Sequence, residues 1–148
     1  MQQWRLRTGG EVDVEAMYRL DLLCFEEPFR FDLQTMRRFV LERGAVVVVA
    51  EVGEALAGFV VVNREGKGAY VTTLDVDVRL RRAGLARRLM EEAQGRVKAG
   101  GAAWVGLHVY AGNEGAVRFY EEIGYERVGM EVGFYGEGMD GWVYRKRL

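Results

Sequence analysis

One histidine, one cysteine, seven tyrosines and a run of closely set arginines and aspartates are the side chains in this sequence from which chemistry could be built. His108 and Cys24 each stand alone, so an internal disulfide is impossible and a cysteine-based zinc site lacks partners. A two-histidine metal site or a Ser–His–Asp hydrolase would have to be assembled around His108 alone, and neither is expected. Asp75 and Asp77, two apart, fall on one face of a strand and read as solvated or hydrogen-bonding carboxylates that need no metal. The basic residues are more telling, because Arg79, Arg81, Arg82, Arg87 and Arg88 fall within ten positions.

That cluster surrounds Arg81-Arg82-Ala83-Gly84-Leu85-Ala86, where a strand ends and a helix begins. A helix N-terminus presents unpaired N–H groups and a partial positive charge, which suits phosphate. Gly84, with the small Ala83 and Ala86, lets an anion approach the backbone closely, and Arg81, Arg82 and Arg87 add cationic donors. The same residues also describe a solvated basic helix start with a glycine for its turn. The segment is neither a Walker P-loop, since no Gly-Lys-Ser/Thr follows, nor a dinucleotide fingerprint, since two of its three glycines are missing.

The elements that must position these residues follow from periodicity. Gln2–Arg7 alternates as a first strand, and Val12–Phe25 carries Val14, Met17, Leu20 and Leu23 at helical spacing. Pro28 interrupts, and Leu33–Leu41 predicts a second helix with Asp32 as N-cap. Strands are predicted over Val46–Val52, Leu56–Asn63 and Ala69–Val78, joined by turns at Gly53-Glu54 and Arg64–Gly68. Leu85, Leu89, Ala93 and Val97 stack on one face of a helix over Leu85–Ala99, closed by Gly100-Gly101. Ala103–Val109 is a strand, Asn113 opens a helix to Ile123, and Tyr125–Val132 with Trp142–Arg147 form a closing antiparallel pair. The order β-α-α-β-β-β-α-β-α-β-β implies one α+β domain over residues 1–148, a mixed sheet with helices on its faces.

Two of these segments resemble the GNAT family of N-acetyltransferases. Arg81–Ala86 is similar to the family's Q/R-x-x-G-x-G/A pyrophosphate loop. Asn113–Tyr125 (NEGAVRFYEEIGY) is similar to its N-x-x-A-x-x-x-Y-x-x-x-G-F/Y element. The order and spacing agree, and the resemblance covers nearly the whole chain. It implies a mostly antiparallel twisted sheet of about seven strands flanked by four helices, with acetyl-CoA as cosubstrate and no metal. By resemblance, the strand holding Val76 and Val78 pairs with the pantetheine arm. Arg81, Arg82, Ala83, Gly84, Leu85, Ala86 and Arg87 then hold the pyrophosphate, with Asn113 and Ala116 completing the cofactor side. Tyr120 matches the tyrosine that protonates the departing thiolate, a fit for a phenol of pKa near ~10 against a thiol near ~8.5. Its other reading is a core aromatic.

Within the family the chain looks most similar to the protein N-terminal acetyltransferases, notably the ribosomal-protein-alanine enzymes. Leu23–Phe29 resembles their α1–α2 loop, and Phe134–Gly141 their Y-Y-x-x-x-x-D-A segment. Phe25, Phe29 and Tyr135 are therefore expected to line the acceptor mouth. Where relatives often carry a glutamate base, this chain has His108, which either takes that role or is a hydrogen-bonded strand residue. An unperturbed imidazole near ~6.5 suits an α-amino group of ~7.7–8.0 better than a lysine near ~10.4. The implied activity is acetyl transfer to a primary amine, most readily a protein N-terminus, by direct attack on the thioester. The alternatives are a small-molecule or polyamine acetyltransferase of the same fold, and a non-catalytic acyl-CoA sensor.

Composition sets the remaining expectations. The chain has 148 residues, 49% hydrophobic and 29% charged, with net charge −1, so no nucleic-acid partner is expected. No apolar run approaches the ~20 residues of a membrane span, and the start lacks a signal-peptide layout. No membrane partner, a cytoplasmic location, and a monomer or homodimer are the corresponding expectations.

Overall fold

A computed structural model of the chain describes residues 3–148, so the Gln2 end of the predicted first strand lies outside the described residues. Its centre is the valine-rich hairpin of β2 (Ala45–Val52) and β3 (Ala55–Glu65). Val47 pairs with Val61 and Val48 with Val60, and successive side chains go to opposite faces. Both faces are covered, which is why the run reads as continuous valine rather than an alternation. Val47, Val49, Phe59 and Val61 pack with Val14, Met17 and Met36 of α1 (Val14–Cys24) and α2 (Leu33–Leu41). Val48, Val60 and Val62 pack on the other side with Leu85, Leu89, Met90 and Ala93 of α3 (Leu85–Ala99).

The remaining elements are β1 (Arg5–Thr8), β4 (Gly68–Val76), β5 (Trp104–Tyr110), α4 (Glu114–Glu122), β6 (Glu126–Gly136) and β7 (Met139–Arg147). They complete a seven-stranded sheet of order β1-β2-β3-β4-β5-β7-β6. All neighbours are antiparallel except β4 and β5, the pair joined through α3. This is the expected α+β fold, with four helices on one seven-stranded sheet. Among the described residues no helix is long and apolar enough to cross a membrane.

Several boundaries differ from the sequence expectation for physical reasons. The first helix begins at Val14 because Glu11–Asp13 is a tight 3-10 turn. The Asp13 carboxylate fixes that turn, accepting from Gly10 N at 2.9 Å and from Arg7 at 2.7 and 3.0 Å. The strand predicted to reach Val78 stops at Val76. Val78–Leu80 is a 3-10 turn capped by Asp77, whose side chain accepts from Arg79 N at 2.9 Å. Asp77 therefore leaves the strand face it was expected to share with Asp75. The Arg79 guanidinium beside it, at 2.8 Å, lowers its carboxyl to about 2.

Gly58 on β3 shows how tightly α3 is seated. A Cβ there would stand 2.8 Å from Asp75 O, 3.2 Å from Leu89 Cδ1 and 3.3 Å from Leu85 Cδ2. Alanine would gain ~0.4–1 kcal/mol through reduced unfolded-chain entropy, but forcing backbone and helix apart costs ~1–3 kcal/mol. Gly58→Ala is therefore expected to lower the denaturant midpoint at unchanged slope, measured by equilibrium unfolding.

Candidate active site

β4 and β5 are held together only at Gly68–Trp104, Ala69–Val105 and Tyr70–Gly106. Beyond those three pairs the strands part, β4 running on to Val76 and β5 to Tyr110. Thr72 contributes by bulging out of the β3–β4 ladder, since Val62 pairs with Val71 and Val61 with Thr73. The opening is a cavity of about 850 Å³ that continues to the start of α3 on one side and to α4 on the other.

At the α3 end the chain makes a concave backbone turn. Arg82 has φ 68° and Gly84 φ 90°, so two left-handed residues bracket the turn and aim successive N–H groups outward. A non-glycine residue in that conformation costs ~1–2 kcal/mol, a strain consistent with a turn shaped for a ligand. Nothing lies within 4 Å of a Cβ placed on Gly84, so the space above it is open. The first backbone bond of α3 runs from Arg88 N to Gly84 O, leaving the N–H groups before Arg88 for a ligand. These features fit the pyrophosphate of a coenzyme A chain.

The structure brings Val76, Arg81, Arg82, Gly84, Ala86 and Arg87 to the cavity wall. Asn113 and Ala116 line it from the start of α4, where the Asn113 side chain accepts from Ala116 N at 3.1 Å. Three expected cofactor residues are placed differently. The Val78 side chain sits 53% exposed on the 3-10 turn, outside the wall, and Leu85 is 1% exposed in the core. Ala83 is exposed on the turn without lining the cavity. At the last two positions only backbone can serve a ligand.

Tyr120 lines the cavity from α4, its ring edge-on to Phe119 and Tyr125 at 5.0 and 5.7 Å. Burial, then the phenols of Tyr135 and Tyr70 and the carboxyl of Asp75, keep its hydroxyl protonated well beyond the ordinary tyrosine range. His108 on β5, which lines the same cavity, makes contacts that strand periodicity did not reveal. Its Nδ1 lies 2.6 Å from the Tyr70 hydroxyl and its Nε2 3.3 Å from Glu131 Oε1, and its ring stacks on Phe134 at 3.8 Å. A carboxylate only accepts, so Nε2 carries the proton and Nδ1 accepts from Tyr70. Burial also raises the Tyr70 phenol, keeping it a donor.

Phe25 and Phe29 line the cavity from the α1–α2 loop, and Tyr135 from the β6–β7 end. Phe29 meets both Tyr135 and Tyr110 at 5.1 Å between ring centroids, closing an aromatic arch over β5. Burial raises Tyr135 to about 12. Tyr70, Glu131 and Tyr110 were not singled out from the sequence. Register supplies the missing signal, because Tyr70 pairs with Gly106, which places it two residues from His108 on the neighbouring strand. Among the described residues, no group of three or more His, Cys, Asp or Glu is placed to hold a metal.

A parted parallel strand pair, with a glycine-opened basic turn at one end and Tyr120 and His108 on its lining, has the form of an acyl-transfer site. The acetyltransferase (GNAT) domain family matches residues 16–148, and the chain belongs to this family of acetyltransferases. It is 25% identical over 149 residues to the N-alpha-acetyltransferase daf-31 of Caenorhabditis elegans, covering 97% of this chain and 82% of that one. It spans about half the length of three further N-terminal acetyltransferases that it matches. The fold is similar to the ribosomal-protein-S18-alanine N-acetyltransferase of Escherichia coli, with TM-score 0.88, 19% identity, and 98% and 94% of the two chains covered. It is also similar to Arabidopsis thaliana NAA60 in complex with acetyl-CoA, with TM-score 0.85, 23% identity, and 99% of each chain covered.

Proposed function

We propose that the chain transfers acetyl from acetyl-CoA to the α-amino group of a peptide or protein N-terminus. The observation that carries this reading is one cavity lined by both Tyr120 and His108, with Tyr70 and Glu131 held against the His108 ring from outside the lining. Acetyl-CoA supplies the acetyl group as an activated thioester. Arg81, Arg82, Arg87 and the N–H groups of the Gly84 turn hold its phosphates, and the β4 backbone from Val71 to Val76 serves as a strand partner for the pantetheine arm. A β4 N–H there also stabilises developing negative charge on the acyl oxygen.

The acceptor enters beneath Phe25, Phe29 and Tyr135. Its ammonium passes a proton to His108, the member of the Tyr70–His108–Glu131 chain that lines the cavity, and Glu131 steadies the charged ring. The free amine forms the C–N bond as the C–S bond breaks. Tyr120, held protonated by burial, gives its proton to the departing sulfur and is restored by the second proton that the nitrogen sheds on becoming an amide. No side-chain nucleophile is required. Burial raises the Cys24 thiol to about 11, too high to be a useful thiolate.

An α-amino acceptor suits this base better than a polyamine does. The only carboxylate lining the cavity among the described residues is Glu122 on α4, so a second ammonium finds little counter-charge. The similarity to N-terminal acetyltransferases supports the same choice.

Thiol release from acetyl-CoA against short peptides of varied N-termini, beside spermidine and lysine, tests the reading. Turnover on peptides that disappears when the N-terminus is blocked is the expected result. Turnover confined to the small amines moves the acceptor class, and acetyl-CoA binding without turnover on any amine points to a sensor.

A further inference from the structure

Between α1 and β4, two carboxyl groups are buried that the reaction does not use. Asp21 on α1 is 0% exposed and Asp75 on β4 is 1% exposed. Each has one oxygen engaged: Phe31 N donates to Asp21 Oδ2 at 2.8 Å, and the Thr73 hydroxyl donates to Asp75 Oδ1 at 2.6 Å. The other two oxygens, Asp21 Oδ1 and Asp75 Oδ2, are buried, and no donor among the described residues reaches either. Burial, then the hydrogen bond and charge of Asp21, hold the Asp75 carboxyl well above the usual carboxylate range. A hydrogen bond between two carboxyl groups requires a proton on one of them, and like charges in such a site do not both ionise.

The surroundings set how firmly that proton is held. Arg81, from the turn after β4, favours ionisation of Asp75, while the Thr73 hydroxyl steadies its charged form. Cys24 at the end of α1 and Tyr120 on α4 are the other titratable groups that feel Asp75.

The pair sits where the α1–α2 loop, α1 and β4 come together. Arg30 donates to Phe25 O at 2.9 and 2.7 Å and to Leu22 O at 3.2 Å, and Asp21 holds Phe31 N, so the α1–α2 loop is tied back to α1. Cys24 Sγ donates to Val76 O at 3.2 Å beside the same strand. Thr73, the hydroxyl on Asp75, lines the cavity, as do Phe25, Phe29 and Phe31 of the loop.

We infer that Asp21 and Asp75 share one proton, and that this proton clamps the α1–α2 loop onto β4 so that acceptor binding weakens when it is lost. That the loop forms the acceptor wall rests on the function proposed above; the shared proton does not. The pair is a positioning device, since neither carboxyl lines the cavity. Because the folded state raises the Asp75 pKa, its contribution to stability is full below the unfolded value of ~3.9 and is lost as pH rises through the folded value.

The test compares the parent with Asp75→Asn, whose amide keeps the shape, accepts from Thr73 and donates permanently to Asp21. Carboxyl-carbon NMR across pH should show an aspartate titrating above the ordinary range in the parent. The hydrogen-exchange protection of the Phe31 amide should fall at least tenfold through that titration in the parent and stay level in Asp75→Asn. The KM for an acceptor peptide should rise in step in the parent only, with the acetyl-CoA Kd unchanged. Both carboxyl carbons titrating near ~4, or equal loss of Phe31 protection in the two proteins, would overturn the shared proton. A flat acceptor KM while Phe31 loosens would overturn the clamp. The NMR and exchange readings need no turnover, so they stand apart from any failure to find the acceptor.

Discussion

Tyr120→Phe is expected to reduce kcat by about 100-fold or more while leaving the acetyl-CoA Kd within about threefold, the range for loss of a positioned general acid. The substitution keeps the ring that packs edge-on to Phe119 and Tyr125, so folding and the cavity wall should survive. Only the hydroxyl is removed. A pre-steady-state comparison separates the step, because the defect should appear in acetyl transfer itself and not in release of the product. The leaving group gives a second axis. A thioester whose thiol is more acidic needs less protonation as it departs, so the parent-to-variant ratio should shrink with it. Unchanged turnover would return Tyr120 to the role of a packing aromatic.

The second large effect concerns His108, which lines the same cavity. His108→Ala should lower kcat/KM for an N-terminal acceptor by about 100-fold near pH 7 and by progressively less toward pH 9. The α-amino group, with pKa ~7.7–8.0, sheds its own proton over that range and no longer needs help. Alanine also removes the stack on Phe134 and leaves the Tyr70 hydroxyl unpaired. Tyr70→Phe is the cleaner companion, because it breaks the 2.6 Å link and leaves the imidazole on Glu131. It should show the same pH trend with a smaller amplitude. A rate ratio that does not change with pH, in both variants, would make His108 and Tyr70 architectural.

The sequence was most informative where local chemistry decides structure. The N-cap at Asp32, the glycines that close α3 and the valine runs of β2 and β3 depend on neighbours within a few residues, and they appear as expected. The turn at Arg81–Gly84 that opens α3 is legible for the same reason. What escaped depended on register between distant segments. Tyr70 and His108 are 38 residues apart, and only the parallel pairing of β4 with β5 brings them together. Asp75 reads as a solvated or hydrogen-bonding carboxylate because nothing local shows that it is buried, with Asp21, on a helix more than fifty residues earlier, as a neighbour. The strand is expected to reach Val78 because a β-branched residue after such a run continues the pattern, and the pantetheine role attaches to Val78 by family resemblance alone. The Asp77 cap, a side-chain hydrogen bond that competes with the ladder, ends the strand two residues sooner.

The three residue pairs between β4 and β5 also make the sheet a bridge with a narrow neck. On one side stand β1 to β4, on the other β5 to β7, and past Tyr70 the two spans are free of each other's backbone. A molecule that lays its own amides into the gap acts as a stitch between the spans, and its binding energy becomes resistance to their separation. By mass action, a ligand at a hundred times its Kd adds about 2.7 kcal/mol against unfolding, a sizeable fraction of the ~5–15 kcal/mol that holds a domain together. The cosubstrate pool would then govern how long the chain lasts as well as how fast it works.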